Sequence, residues 1–299
     1  MTETTQTNRF ALFFFLYFIG VSFGMAYLPG LASLSDGAFM LLCQTAGFLP
    51  PVILYFVYTK KSVRQTLRLN PLGWKNILLI VSFAFAIQPI MSFLSFLMGL
   101  FFPNPVEESV EGILSSGFAM SFLAVAVIPA ILEEISVRGV LLSGYKFLGT
   151  WKASFAAALL FGLMHLSPQQ LPYAFCVGFI FCFLVERTNS IFASILPHLI
   201  INATTVVSLF TDPAAATATA AVEISNSEIL VSLGLMSLLS IPWLLFLLHL
   251  FLKVNPTDPE LPLMNADTGM LYRERFFTPC IWIILIIYLL FAILPYLYA

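Results

Sequence analysis

Glu133, Glu134 and Arg138 lie within one long apolar run, His165 within another, and His198 with Asn202 within a third. Carboxylates and imidazoles exchange protons near neutral pH, so this set suits acid–base chemistry on a water molecule. Ionisable groups are expensive in an apolar setting, and their default reading there is a functional site. His198 and Asn202 are four residues apart, which puts them on one helix face. Glu134 and Arg138 are also four apart, so the arginine can neutralise that carboxylate in place. Glu133 points about 100° away from Glu134 and is left for other work. Burial can tune a carboxylate for general-base duty near neutral pH. His249 has Lys253 one turn later and no partner at matching depth, so it reads as structural.

The elements that position these groups follow from composition. The chain has 299 residues, 60% hydrophobic and 9% charged, with a mean hydropathy of +0.97. Soluble domains carry roughly 45–50% apolar and about 25% charged residues. A water-soluble enzyme and a disordered chain are both excluded. The net charge is −2, so the basic footprint of a nucleic-acid partner is missing. The four cysteines sit in apolar runs without a Cys-x-x-Cys pair and read as small hydrophobes. Continuous apolar runs argue against a membrane barrel, whose strands alternate. The expected fold is all-α, a polytopic transmembrane bundle of eight or nine spanning helices.

Spans are expected near 10–32, 37–58, 76–101, 114–146, 153–167, 171–186, 190–211, 228–252 and 277–297, which makes nine crossings. The first is too long for a cleavable signal and reads as an anchor. The turn Ser167-Pro168-Gln169-Gln170 falls inside the bilayer, which is tolerated only under protein cover. Lys60, Lys61, Arg64, Arg68 and Lys75 cluster between the second and third spans. If that loop is cytoplasmic, alternation puts Arg9, Lys146, Lys152, Arg187, Lys253, Arg273 and Arg275 on the same side. Asp36, Glu107, Glu108, Glu111, Asp212, Glu223 and Glu228 fall on the other, with no Lys or Arg. This obeys the positive-inside rule, with the N-terminus in the cytoplasm and the C-terminus outside, in a plasma or inner membrane. Residues 60–75 read as a basic stretch on the cytoplasmic leaflet with Trp74 at headgroup level. Residues 212–227 read as a mobile outer loop. Three parts are expected: N-terminal helices over 1–113, a catalytic core over 114–211, and C-terminal helices over 212–299.

Depth brings the polar groups together. At about 1.5 Å per residue, Glu133 lies roughly 20 Å from Lys146, and His165 roughly 20 Å from Lys152. His198 lies roughly 12 Å past Ser190. All three fall near the middle of a ~30 Å core and must find each other. A blander reading ends the fourth span at Leu132 and makes the carboxylates interfacial. It leaves Gly139–Leu148 as an apolar loop with no reason to exist. A lone buried His165 would be a packed histidine, and His198 with Asn202 would be interhelical glue.

Glu133-Glu134-x-x-x-Arg138-Gly139, then Phe161-x-x-x-His165, then His198-x-x-x-Asn202, resembles the CPBP intramembrane proteases, which group CAAX prenyl endopeptidases with bacterial Abi and bacteriocin-processing or immunity proteins. Phe175-x-x-Gly178 and Glu186-Arg187-Thr188-Asn189-Ser190 fit the same pattern. The resemblance covers about 114–205. It departs at Val137, where an aromatic is common, and at Cys182, where a small residue is common. Neither departure removes a chemical group.

The resemblance implies an intramembrane endopeptidase whose partners are the lipid bilayer and a peptide or membrane-protein substrate. Glu133 is expected to take the proton from water, with His165 holding that water. His198 and Asn202 would stabilise the oxyanion, and Arg138 would hold Glu134. The two glutamates could exchange roles. A metal version competes, with His165, His198 and Glu134 as ligands to a divalent ion such as zinc. The His-Glu-x-x-His signature is absent, and the reading leans to water without an obligatory metal. Two other classes stay open: a proton-coupled transporter and a non-catalytic immunity or binding protein.

Overall fold

The computed structural model describes residues 2–25, 27–212, 225–256 and 274–297. It is 83% helical, with no strand among the described residues. Helix α1 is Glu3–Met25, α2 is Asp36–Thr59 and α3 is Trp74–Gly99. The short amphipathic α4 is Pro105–Ser115. Then come α5 (Phe118–Gly144), α6 (Thr150–Met164), α7 (Leu171–Thr188), α8 (Phe192–Thr211), α9 (Asn226–Val254) and α10 (Pro279–Tyr296). Eight of these are long and apolar enough to cross a membrane, and the protein is an integral multi-pass membrane protein.

Eight of the nine expected spans are long and apolar enough to cross; the remaining one, expected at 153–167, is the shorter α6. At 15 residues, α6 is only about 22 Å long, short of a ~30 Å core. It stops at His165 and turns back into α7, against which it packs along its length. The turn is covered by protein: Ser167, Pro168 and Gln169 are buried, and Gln169 Nε2 donates to the Ser95 carbonyl (3.0 Å) and hydroxyl (2.6 Å). Leu166 takes a left-handed φ of +49° there, a costly conformation for a bulky residue that ends the helix sharply.

The loops assigned to one side do gather at one end of the bundle. Lys61 and Lys146 both reach Glu3, at 2.7 and 3.5 Å. Asn8 binds the Phe276 carbonyl, and Asn76 pairs with Asn255. Residues 60–75 are mostly exposed and are tied to the bundle at a few points. Leu67 is buried, Arg68 pairs with Glu186, and Asn70 exchanges hydrogen bonds with the Asn189 carbonyl and the Ser190 hydroxyl. Trp74 is exposed. Most of the Ala/Thr-rich stretch over 212–227 lies outside the described residues, as do Glu223 and Arg273.

Gly139 explains part of this docking. A Cβ there would collide with Leu67 Cδ2, so the bare backbone is what lets the loop seat against α5. Gly139→Val is expected to lower stability by about 1–3 kcal/mol through overpacking. Thermal melts in detergent check it. Adding Leu67→Ala should recover part of the loss, and strictly additive losses would contradict the contact.

Candidate active site

Helix α5 supplies the carboxylates. It departs from regular geometry twice, with π-helical turns at Phe122–Val127 and Ile135–Leu141. Such turns recur at functional sites because they re-aim side chains and loosen the carbonyl ladder. Glu133 and Glu134 sit between them.

Glu134 and Arg138 are both fully shut from solvent. Arg138 Nη1 donates to Glu134 Oε1 at 3.0 Å, and Nη2 donates to the Gly178 carbonyl at 3.3 Å. The guanidinium lies 4.3 Å from the Phe161 ring centroid and 5.5 Å from that of Phe181. Gly178 permits this approach, because a Cβ there would stand 3.1 Å from Phe161 and 3.3 Å from Arg138.

His198 on α8 meets both glutamates. Its Nδ1 lies 2.7 Å from Glu134 Oε1, and its Nε2 lies 3.8 Å from Glu133 Oε2. A carboxylate can only accept, so Nδ1 carries hydrogen and Nε2 faces Glu133. A carboxylate behind a histidine fixes its tautomer and ring orientation. His165 is held in a parallel way. The last turn of α6 tightens, so the His165 backbone N–H goes to Gly162 at 3.3 Å. That leaves the Phe161 carbonyl for His165 Nδ1, at 2.9 Å. Both imidazoles therefore offer Nε2 for chemistry.

Asn202 donates from Nδ2 to the Val125 carbonyl at 2.9 Å. That carbonyl is open to it because Pro129, four residues on, has no N–H to give. One amide hydrogen of Asn202 is thus committed and the other remains.

Glu133, His165, His198 and Asn202 line one cavity of about 540 Å³, a size usual for ligand sites. Glu134 is sealed behind His198 and is not among the lining residues. Sequence spacing brought out the Glu134–Arg138 pair but not its aromatic walls or the Gly178 carbonyl. Phe161 and Gly178 both stood in the recognised motifs, which was the available signal. His249 is exposed on α9 and lines neither this cavity nor the one beside it.

The competing zinc set, His165, His198 and Glu134, is not grouped around a metal position among the described residues. Among the described residues, no three His, Cys, Asp or Glu side chains are grouped to hold a metal ion. Glu134 Oε1 is already engaged by Arg138 and His198.

Residues 115–204 match the family model described as type II CAAX prenyl endopeptidase Rce1-like. The match spans α5 to α8 nearly to its end, and it agrees with the CPBP resemblance. No curated protein and no solved structure matches the chain.

The two glutamates should respond differently to mutation. Arg138→Met leaves the buried Glu134 with only His198 as a partner and is expected to cost about 3–5 kcal/mol. Glu133→Gln, at the cavity wall, should cost under about 1 kcal/mol. Detergent melts of the two variants against wild type check this, and equal losses would contradict the assignment.

Proposed function

We propose that this chain is an intramembrane endopeptidase that hydrolyses a peptide bond with a glutamate-activated water. The Rce1-like family is a protease family, which supports peptidase activity here. The observation that carries the reading is the division of labour between the glutamates. Glu133 faces the cavity with both histidines, and Glu134 is closed off behind His198 by Arg138.

In this reading a water sits between Glu133 and His165. His165 Nε2 accepts one of its hydrogens, since Nδ1–H is committed to Phe161. Glu133 takes the other proton as the water oxygen attacks the peptide carbonyl. The carbonyl oxygen gains the negative charge and needs donors placed beforehand. Asn202 offers its second amide hydrogen. His198, with Nδ1 held by Glu134, presents Nε2 beside Asn202, where a ring protonated at both nitrogens would donate a second hydrogen bond. Glu133 then returns its proton to the leaving amine as the C–N bond breaks. Arg138 and Glu134 act only through His198.

The substrate is a membrane-associated peptide or protein, because the site sits among spanning helices. The end of the bundle bearing Lys61, Arg68 and Lys146 faces the cytoplasm, with the N-terminus.

Purified protein in detergent, given a peptide library, is expected to cleave, and Glu133→Gln should lower the rate at least ~10²-fold. A chelator should leave the wild-type rate unchanged. Equal cleavage by wild type and Glu133→Gln would overturn the mechanism, and loss in chelator would overturn its metal-free form.

A further inference from the structure

A second cavity, of about 360 Å³, lies beside the first and is walled by Phe18, Phe23, Phe48 and Met164. The two share a wall made by Gln44, Glu133, Phe161, His165 and Gln170. Glu133, Phe161 and His165 belong to the motifs. Gln44 does not. It comes from α2, outside the Rce1-like segment 115–204, and it stands in a run whose neighbours are almost all apolar.

Gln44 Oε1 is buried and has no hydrogen-bond partner. An unpaired buried acceptor costs about 1–3 kcal/mol, so native structures seldom keep one idle. Where one persists at a site, a missing partner is the natural explanation. The terminal torsion of glutamine is broad and two-fold, so its amide turns at little cost to face either cavity. A peptide entering this wall loses water from its backbone N–H groups, and each then needs an acceptor. In the protease reading Glu133 and His165 both serve the attacking water, which leaves that role to another acceptor in the wall.

We propose that Gln44 is a substrate-binding residue, accepting a hydrogen bond from a backbone N–H of the peptide where it passes between the two cavities. The inference rests on the protease reading and adds to it a contact from a helix outside the matched segment. The contact recognises the peptide backbone, so it fixes register without selecting side chains. It should act on binding of the scissile region, not on proton transfer.

The test uses the best-cleaved peptide of the library and a set of its analogues, each N-methylated at one amide. Full-length wild type, Gln44→Met and Gln44→Glu are compared in detergent, with melts to confirm folding. Gln44→Met is expected to raise KM about 5- to 10-fold with kcat changed less than 2-fold, and Gln44→Glu, which keeps acceptors, to restore much of the loss. One N-methyl analogue should be penalised in wild type and carry no added penalty in Gln44→Met. A residue that merely supported the fold would give no such position-specific cancellation. Glu133-dependent cleavage with the same N-methyl penalties in both proteins would overturn the Gln44 role alone. Absence of Glu133-dependent cleavage would overturn the protease reading and this inference together.

Discussion

A guanidinium with no exposure to solvent has to be answered in place, and Arg138 sets the terms for the rest of the site. Its charge is met by Glu134 one turn earlier, by the Gly178 carbonyl from α7, and by two phenylalanine faces. Attraction inside an apolar interior offsets desolvation only when the charges are closely paired and hydrogen-bonded. The arrangement consumes Glu134 as a free carboxylate. What Glu134 still does is grip His198 Nδ1. The buried pair thereby fixes the imidazole that reaches toward Glu133, and three helices become one constellation.

The backbone is bent to suit. Pro129 frees a carbonyl that Asn202 uses, and the tightened end of α6 frees one that His165 uses. Two departures from regular helical hydrogen bonding therefore orient two side chains at the cavity. The shortness of α6 has the same logic. A helix that ends at mid-bundle can present His165 from its last turn, provided the turn beyond is buried and satisfied. Gln169 and Ser95 supply that satisfaction. Gly139 and Gly178 permit the close approaches that hold the loop and the guanidinium.

Much of this was legible in the sequence because membrane energetics make polar residues conspicuous. Continuous apolar runs gave the helices, most ending within a few residues of the structural limits. The i, i+4 spacings gave the Glu134–Arg138 pair and the shared face of His198 and Asn202. Spacing paired Glu134 with Arg138 and set Glu133 apart, but it could not show that His198 on α8, far along the chain, reaches toward both. The loop over 60–75 was read only in part for a related reason. Its basic residues suggest a lipid surface, and nothing in the sequence adds that Leu67 and Asn70 find partners on α5 and the α7–α8 turn. The span expected over 153–167 lies at 150–164 as α6, because the chain leaves the helix at His165 and Leu166, before the expected Ser167-Pro168 turn. Gln44 was passed over because it carries no charge.

The central claim is that Glu134 and His198, from different helices, share one short hydrogen bond in the bundle interior. The chain has three histidines, so 15N-imidazole NMR of protein labelled at histidine offers three resolvable rings, assigned by single His→Gln variants. The account predicts that His198 shows a protonated Nδ1 bonded to a carboxylate, that Glu134→Gln shifts that nitrogen markedly, and that His249 does not move. A His198 ring indifferent to Glu134→Gln in a folded protein would contradict it.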